Sequence, residues 1–372
     1  MAKKIIIHPG FPKSGTTALQ ASLMQAKPEL ASQGIVFNPP WNNAHHRAAW
    51  ALTNYMFGWD GKGGSTTPIE AWTSLCSDVK SESETVLITS EFFIRADLTM
   101  IERVKADLGN QDIKIVFTLR PFAKVLPSRY QQTLKKGKTW TYDKWLHTIL
   151  DGDNDKIQLL DYAGIIESWA KVFGASNVDV IIADESNPEI LYRRFENAIS
   201  VTSETLKPAK IKRLNRSLTA SEVEILRQVN LRKPKKWKWE QYRYFVRGNF
   251  VKFLSDNPSK FKDEEKLKLP TWAIEAMTPY AKAQISKIDS LGLSIQGDIG
   301  SLFSEKVSVD STSLSQTIPV EMAADLVIHL SSISRFAGTS TRGLVREIGG
   351  RLVRSPRLTS RLIGKIVLIL VK

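Results

Sequence analysis

Over the first 200 residues the apolar positions fall into two kinds of run. Short runs rich in β-branched and aromatic side chains, such as Ile5–Ile7 and Ile113–Leu119, mark strands buried on both faces. This pattern predicts strands at Lys3–His8, Gly34–Phe37, Val86–Thr89, Ile113–Leu119 and Val178–Ala183. Between them the spacing becomes helical. Thr16–Gln25 sets Leu19, Leu23 and Met24 on one side, and Ile101–Leu108 follows the same rule. Pro121 suits the first turn of a helix running to Lys136. Ile157–Phe173 reads as a helix closed by Gly174. Residues 38–70, rich in Asn, Gly, Pro and Trp, read as a long loop with helical pieces. Strands alternating with helices predict an α/β fold: a central parallel sheet with helices on both faces, a three-layer sandwich. Residues 219–290 are mostly helical and basic. Residues 304–317 are Ser/Thr-rich without periodicity and read as a linker.

Composition narrows the function classes. The chain has 372 residues, ordinary globular hydrophobicity and a single cysteine, Cys76. A disulfide framework and a four-cysteine zinc site are excluded. No signal-peptide core follows Met1, and no apolar run is long enough for a spanning helix. The expected location is therefore cytoplasmic, with a peripheral contact at the inner membrane face. The net charge of +14 is uneven: residues 207–268 hold 18 Lys/Arg against 7 Asp/Glu, and residues 335–372 hold 9 against 1. Such an excess points to an anionic partner without naming it.

The sharpest motif is His8–Gln20, HPGFPKSGTTALQ, set between a predicted strand and a predicted helix. Gly10 and Gly15 stand in the GxxxxG spacing of a phosphate-cradling loop. Glycines allow the tight turn, and successive N–H groups and a helix N-terminus then face an anion. The residue after the second glycine is Thr16, where a nucleoside-triphosphate loop carries lysine. The lysine here is Lys13, inside the loop. That shift disfavours a nucleotide kinase or ATPase. Arg120 closes the strand Ile113–Leu119, and Ser128 follows eight residues later in RPFAKVLPSRYQQ. An arginine at a strand end offers a planar fork of donors to a phosphate, and a serine two helical turns on adds a hydroxyl.

These two elements resemble the sulfotransferase family, whose members use 3′-phosphoadenosine 5′-phosphosulfate (PAPS). The resemblance extends to LLDYAGIIESWAKVFGASNVDVIIADE and NRSLTASEVEILRQVN, segments similar to bacterial and Golgi-type carbohydrate sulfotransferases, and spans about residues 4–303. It implies a P-loop NTPase-like sulfotransferase fold with helical C-terminal additions. The implied domain is 1–303, with a helical basic portion at 207–300, followed by the 304–317 linker and a basic tail or helix at 318–372. It assigns Lys13, Ser14, Gly15, Thr16 and Thr17 to the 5′-phosphosulfate, Arg120 and Ser128 to the 3′-phosphate, and Arg213 (with Arg216 nearby) to a basic loop closing over the cofactor. Transfer to a hydroxyl then leaves adenosine 3′,5′-bisphosphate (PAP), and no metal is called for.

Such a transfer needs a base and a cation at the leaving oxygen. Glu91 follows the strand VLITS, at the strand end where open α/β sheets bind ligands. It is the candidate base; the plainer reading is a helix-cap or Arg95-paired carboxylate. Lys13 is the candidate cation, and His8 reads as a structural strand-end residue. His45 and His46, in NNAHHRAAWAL, are the alternative base and candidate acceptor contacts, His45 ahead of His46. Trp41, Trp50, Trp59 and Trp72 fall within 32 residues. Aromatic faces stack on sugar rings, so they favour a carbohydrate acceptor, Trp41 among the contacts; a satellite core under the loop explains them equally well. The basic, aromatic stretch 232–247 read alone suits a nucleic-acid or polyanion-binding protein on the same scaffold. With the PAPS elements present, cofactor phosphates or an anionic glycan are expected instead, and nucleic acid is not. Residues 343–372 have the make-up of a basic helix for an anionic membrane surface.

Overall fold

The computed structural model describes residues 4–37, 44–109, 111–150, 160–184, 186–209, 217–256 and 266–303. Its centre is a sheet of six parallel strands: β1 (Ile5–His8), β2 (Ile35–Val36), β3 (Thr85–Thr89), β4 (Ile113–Leu119), β5 (Val178–Ile182) and β6 (Ser294–Gln296). Their spatial order is β2-β3-β1-β4-β5-β6.

Alternation along each strand divides the core in two. Ile5, Ile7, Ile88, Ile115, Phe117 and Val180 face one apolar layer, whereas Ile6, Leu87, Val116 and Ile181 face the other. Each buried Ile, Val or Leu stabilises by roughly 1.5–3 kcal/mol over leaving it exposed. A one-residue slip would exchange the two sets, so the register Ile5↔Val86 and Val116↔Asp179 is strongly held. A polar pair adds to it: Lys114 Nζ lies 2.7 Å from Asp179 Oδ2 across β4 and β5.

The first layer is packed by α3 (Ala44–Leu52), α4 (Glu70–Ser81), α5 (Leu98–Leu108), α6 (Phe122–Lys135), α7 (Tyr142–Leu150) and α8 (Tyr162–Phe173). The second is packed by α1 (Thr16–Gln25), α2 (Lys27–Ser32) and α9 (Glu189–Ile199). The chain leaves β1 towards the second layer and leaves the adjacent β4 towards the first. Neighbouring strands whose connections part in this way open a crevice at their carboxyl ends. Beyond β5 the described residues are mainly helical: α10 (Ala220–Arg232), α11 (Trp239–Tyr242), a π-helical stretch at Arg243–Phe250, α12 (Val251–Asp256) and α13 (Thr271–Ser290). The β6 strand then returns to the edge of β5.

Some sequence expectations shift. Met24 is 47% exposed, because it stands one residue, about 100° around the helix, beyond Leu23. The helix expected at Ile157–Phe173 starts at Tyr162, where the Asp161 carboxylate accepts the Gly164 N–H. Pro121 precedes its helix with ψ 132° instead of entering the first turn. The helical piece expected within 38–70 is α3, and β6 is too short to have shown alternation. The linker and tail at 304–372 lie outside the described residues.

Candidate active site

Four side chains form the floor of the crevice. His8, Thr89 and Thr118 lie at the carboxyl ends of β1, β3 and β4, and Ser14 lies in the loop above them; all four are buried. Ser14 Oγ donates to the Phe11 carbonyl at 2.6 Å, so in its 2.7 Å contact with Thr118 it accepts. Thr118 Oγ1 is then the acceptor for His8 Nε2–H at 3.2 Å, and His8 Nδ1 accepts from the Thr89 hydroxyl at 2.9 Å. Gln20 of α1 donates to Thr89 Oγ1 at 3.3 Å. This directed chain requires a neutral imidazole, and burial pushes the His8 pKa down to about 3. His8 is therefore a structural strand-end residue that joins three strands beneath the loop.

Above this floor the loop turns sharply. Gly10 and Gly15 have φ of +49° and +93°, and a side chain at Gly15 would run into Leu191. Lys13 also takes the left-handed region, with φ +72°, which costs a non-glycine residue about 1–2 kcal/mol. Its neighbours hold it there. The Ser14 N–H bonds the Phe11 carbonyl at 3.2 Å, and Arg120 Nη1 donates to the Lys13 carbonyl at 3.2 Å. Gly15 precedes α1 without a side-chain cap, so the first N–H groups of α1 are directed at the loop's concave side. Thr16 is buried and Thr17 exposed at this end. Glycine cradle, uncapped helix start and lysine together fit a phosphate or sulfate ester.

Arg120 directly follows β4 and Ser128 lies in α6. The Arg120 carbonyl accepts from Tyr162 at 3.2 Å. Lys13 feels both neighbours: burial lowers its pKa, the Arg120 charge lowers it further, and the Glu91 charge opposes them. Lys13, Arg120 and Glu91 thus share one crevice. Arg129, which sequence reasoning did not single out, lies within electrostatic reach of Tyr162 and Arg95. Burial pushes its pKa down to about 10, with Tyr162 opposing and Arg95 adding to the shift. Its position beside Ser128 on α6 was the available signal.

Glu91 opens a short 3₁₀ turn, Glu91–Arg95, capped by Ser90 Oγ accepting the Phe92 N–H. Its Oε2 is buried without a hydrogen-bond partner, and His46 Nδ1 stands 3.8 Å away. His46 Nδ1 also lies 2.8 Å from Ser90 Oγ. The Arg95 guanidinium sits 5.1 Å over the Tyr55 ring. The histidines exchange places relative to the sequence reading. His45 is buried, its Nδ1 accepts the Thr89 N–H at 3.3 Å, and burial pushes its pKa down to about 4. His46 is the one that meets Glu91. On a helix adjacent residues point about 100° apart, so the pair could not both face the crevice.

The tryptophans separate as well. Trp72 is fully buried and donates to Asp107 at 2.7 Å. Trp50 stacks on His46 at 5.9 Å and meets Phe57 and Phe92 edge-on, and Tyr55 packs against the same two rings. An aromatic wall therefore stands beside Glu91, recruited from α3, the following loop and the 3₁₀ turn. Trp59 belongs to a second aromatic group with Trp239 and Tyr242. Trp41, Arg213 and Arg216 lie outside the described residues. Among the described residues no group of three or more His, Cys, Asp or Glu could hold a metal ion, and no helix is long and apolar enough to cross a membrane.

No family model matches the sequence, and no curated protein matches it. Among solved structures, the chain is similar to a sulfotransferase from Alicyclobacillus acidocaldarius, with 17% identity and a TM-score of 0.40 over 57% of this chain and 85% of that one. A likeness of that size carries no argument about chemistry, which rests on the residues themselves.

Proposed function

We propose that this protein is a PAPS-dependent sulfotransferase acting on a hydroxyl acceptor, most simply a carbohydrate. The observation that carries this reading is one crevice holding Lys13, Arg120 and a Glu91 carboxylate oxygen without a hydrogen-bond partner. A phosphate cradle alone would suit any nucleotide. A cradle with an internal lysine and a facing carboxylate suits transfer of an anionic group to a hydroxyl.

PAPS, when bound, supplies an activated sulfuryl group. On this reading Lys13 and the N–H groups of Gly15, Thr16 and Thr17 hold its phosphosulfate end, with Ser14 shaping the loop beneath. Arg120 and Ser128 hold its 3′-phosphate, joined by Arg213. Glu91 Oε2 accepts the proton of the acceptor hydroxyl. His46 Nδ1 stands 3.8 Å from that oxygen and borders the same space. The aromatic wall of Trp50, Tyr55, Phe57 and Phe92 offers ring faces to a sugar. His45 keeps a structural role under β3.

The test has two parts. A thermal shift with adenosine 3′,5′-bisphosphate, and none with ATP–Mg²⁺, is expected from a loop with Lys13 inside and Thr16 at the usual lysine position. Transfer of labelled sulfate from PAPS to a panel of glycans and alcohols then identifies the acceptor. A shift with ATP–Mg²⁺ alone would sink the reading.

A further inference from the structure

Residues 231–247 carry seven Lys/Arg against Glu240 alone. Helix α10 ends at Arg232, the chain passes Pro234, and α11 then widens into the π-helical stretch. The inward side of this unit is apolar: Trp239, Tyr242, Val246 and Phe250 are buried. An ordinary surface helix would be polar on its outer side. Here Tyr244 and Phe245 are 53% and 42% exposed, and Leu231 at the end of α10 is 50% exposed. These are three of the six exposed large apolar side chains among the described residues.

The exposed rings form one patch. Trp237 stacks on Phe245 at 5.4 Å, and Tyr244 meets Phe245 edge-on at 5.0 Å. Trp237 also lines an open groove of about 530 Å³ formed with Ile225 and Val229, with Arg232 and Lys233 beside them. Rings and aliphatic carbon among lysines have the composition of a surface that enters the headgroup boundary of a bilayer. A nucleic acid would use the cations and rings, but would leave the apolar lining of the groove at Ile225 and Val229 without a matching partner. The chain's own residues 335–372, with nine Lys/Arg against one Asp/Glu, would bring like charge onto like.

We infer that the surface formed by residues 231–247 docks the protein on a membrane carrying anionic lipid. Tyr244 and Phe245 enter the interface, and the surrounding lysines and arginines meet the headgroups. The buried side of this unit is linked to the aromatic wall through Trp59. The Trp59 ring packs on Tyr242 at 4.9 Å and its Nε1 donates to the Lys136 carbonyl, while the Lys136 ammonium lies 5.6 Å from the Tyr55 ring of the aromatic wall. The inference is independent of the sulfotransferase reading.

Cosedimentation of the full chain with vesicles of phosphatidylglycerol in phosphatidylcholine, against phosphatidylcholine alone, tests it. Binding is expected to the anionic vesicles only. Lys235→Glu with Lys236→Glu should weaken it by at least about fivefold per charge, the equivalent of ~1 kcal/mol for each cation at an anionic surface. Tyr244→Ser with Phe245→Ser should weaken it by about tenfold as apolar insertion is lost. All four positions are exposed, so the thermal midpoint should hold. Unchanged vesicle binding by the aromatic pair variant would overturn the inference and move docking to another segment. So would equal binding to uncharged vesicles, or an aromatic variant that loses affinity for a single-stranded oligonucleotide and keeps its affinity for vesicles.

Discussion

His46 Nδ1 stands 3.8 Å from Glu91 Oε2, and that oxygen is buried without a hydrogen-bond partner. A buried carboxylate oxygen left open in this way is costly to maintain. Glu91 follows the carboxyl end of β3, the strand paired with β1 and its glycine loop.

Glu91→Gln keeps the shape and removes the base. Turnover should fall by about 10²- to 10⁴-fold, while affinity for adenosine 3′,5′-bisphosphate stays within about twofold. His46→Ala should lower kcat less, because His46 neighbours Glu91 and is not the base. His45→Ala should chiefly lower stability. Steady-state kinetics beside binding of the bisphosphate separates the three; normal turnover in Glu91→Gln would reassign the base.

Lys13 adopts a conformation that glycine adopts more readily. Lys13→Gly should relieve about 1 kcal/mol of backbone strain, offset in part by the greater freedom of glycine in the unfolded chain. Urea unfolding should therefore show stability unchanged or slightly raised, with activity lost. A large loss of stability would mean that the lysine side chain holds the loop together.

Thr118→Val deletes the middle of the hydroxyl–imidazole chain. It removes the acceptor for His8 Nε2–H and the donor to Ser14. Leaving these buried groups unsatisfied should cost about 1–3 kcal/mol, measurable as a shift in the urea midpoint. The variant should also bind adenosine 3′,5′-bisphosphate more weakly, because Ser14 shapes the loop.

Two buried histidines set the acid limit of the fold. Their folded pKa values, about 3 for His8 and about 4 for His45, lie below the ordinary 6.5. Unfolding exposes imidazoles that take up protons, so stability is full above pH 6.5 and declines as pH falls. For His45 the decline runs from 6.5 towards 4, and for His8 towards 3. Each histidine contributes a slope of up to ~1.4 kcal/mol per pH unit within its window. Chemical denaturation between pH 8 and 4 checks this; a flat profile would mean that these rings find other partners when protonated.

The parallel sheet was legible because β1, β4 and β5 are buried on both faces and read as apolar runs. The sharp strand-to-helix turn at Gly10–Gly15 was legible because glycine spacing is local. The choice between His45 and His46 was not local. It depends on which face of α3 meets β3, and that is fixed by long-range packing of Ala48, Ala49 and Leu52 against the sheet layer. The aromatic wall was hidden for the same reason: Trp50, Tyr55, Phe57 and Phe92 are separated along the chain and meet only after α3 docks. β6 was missed because three residues carry too little periodicity.

The chain of bonds from Thr89 through His8 and Thr118 to Ser14 has a thermodynamic consequence for ligand capture. It fastens the loop to three strands of the sheet, so the ordering entropy is spent when the protein folds and not when an anion arrives. Association at this loop should then show a small entropic penalty and little change in heat capacity, with specificity set by how well an incoming ester matches a cradle that does not adjust to it.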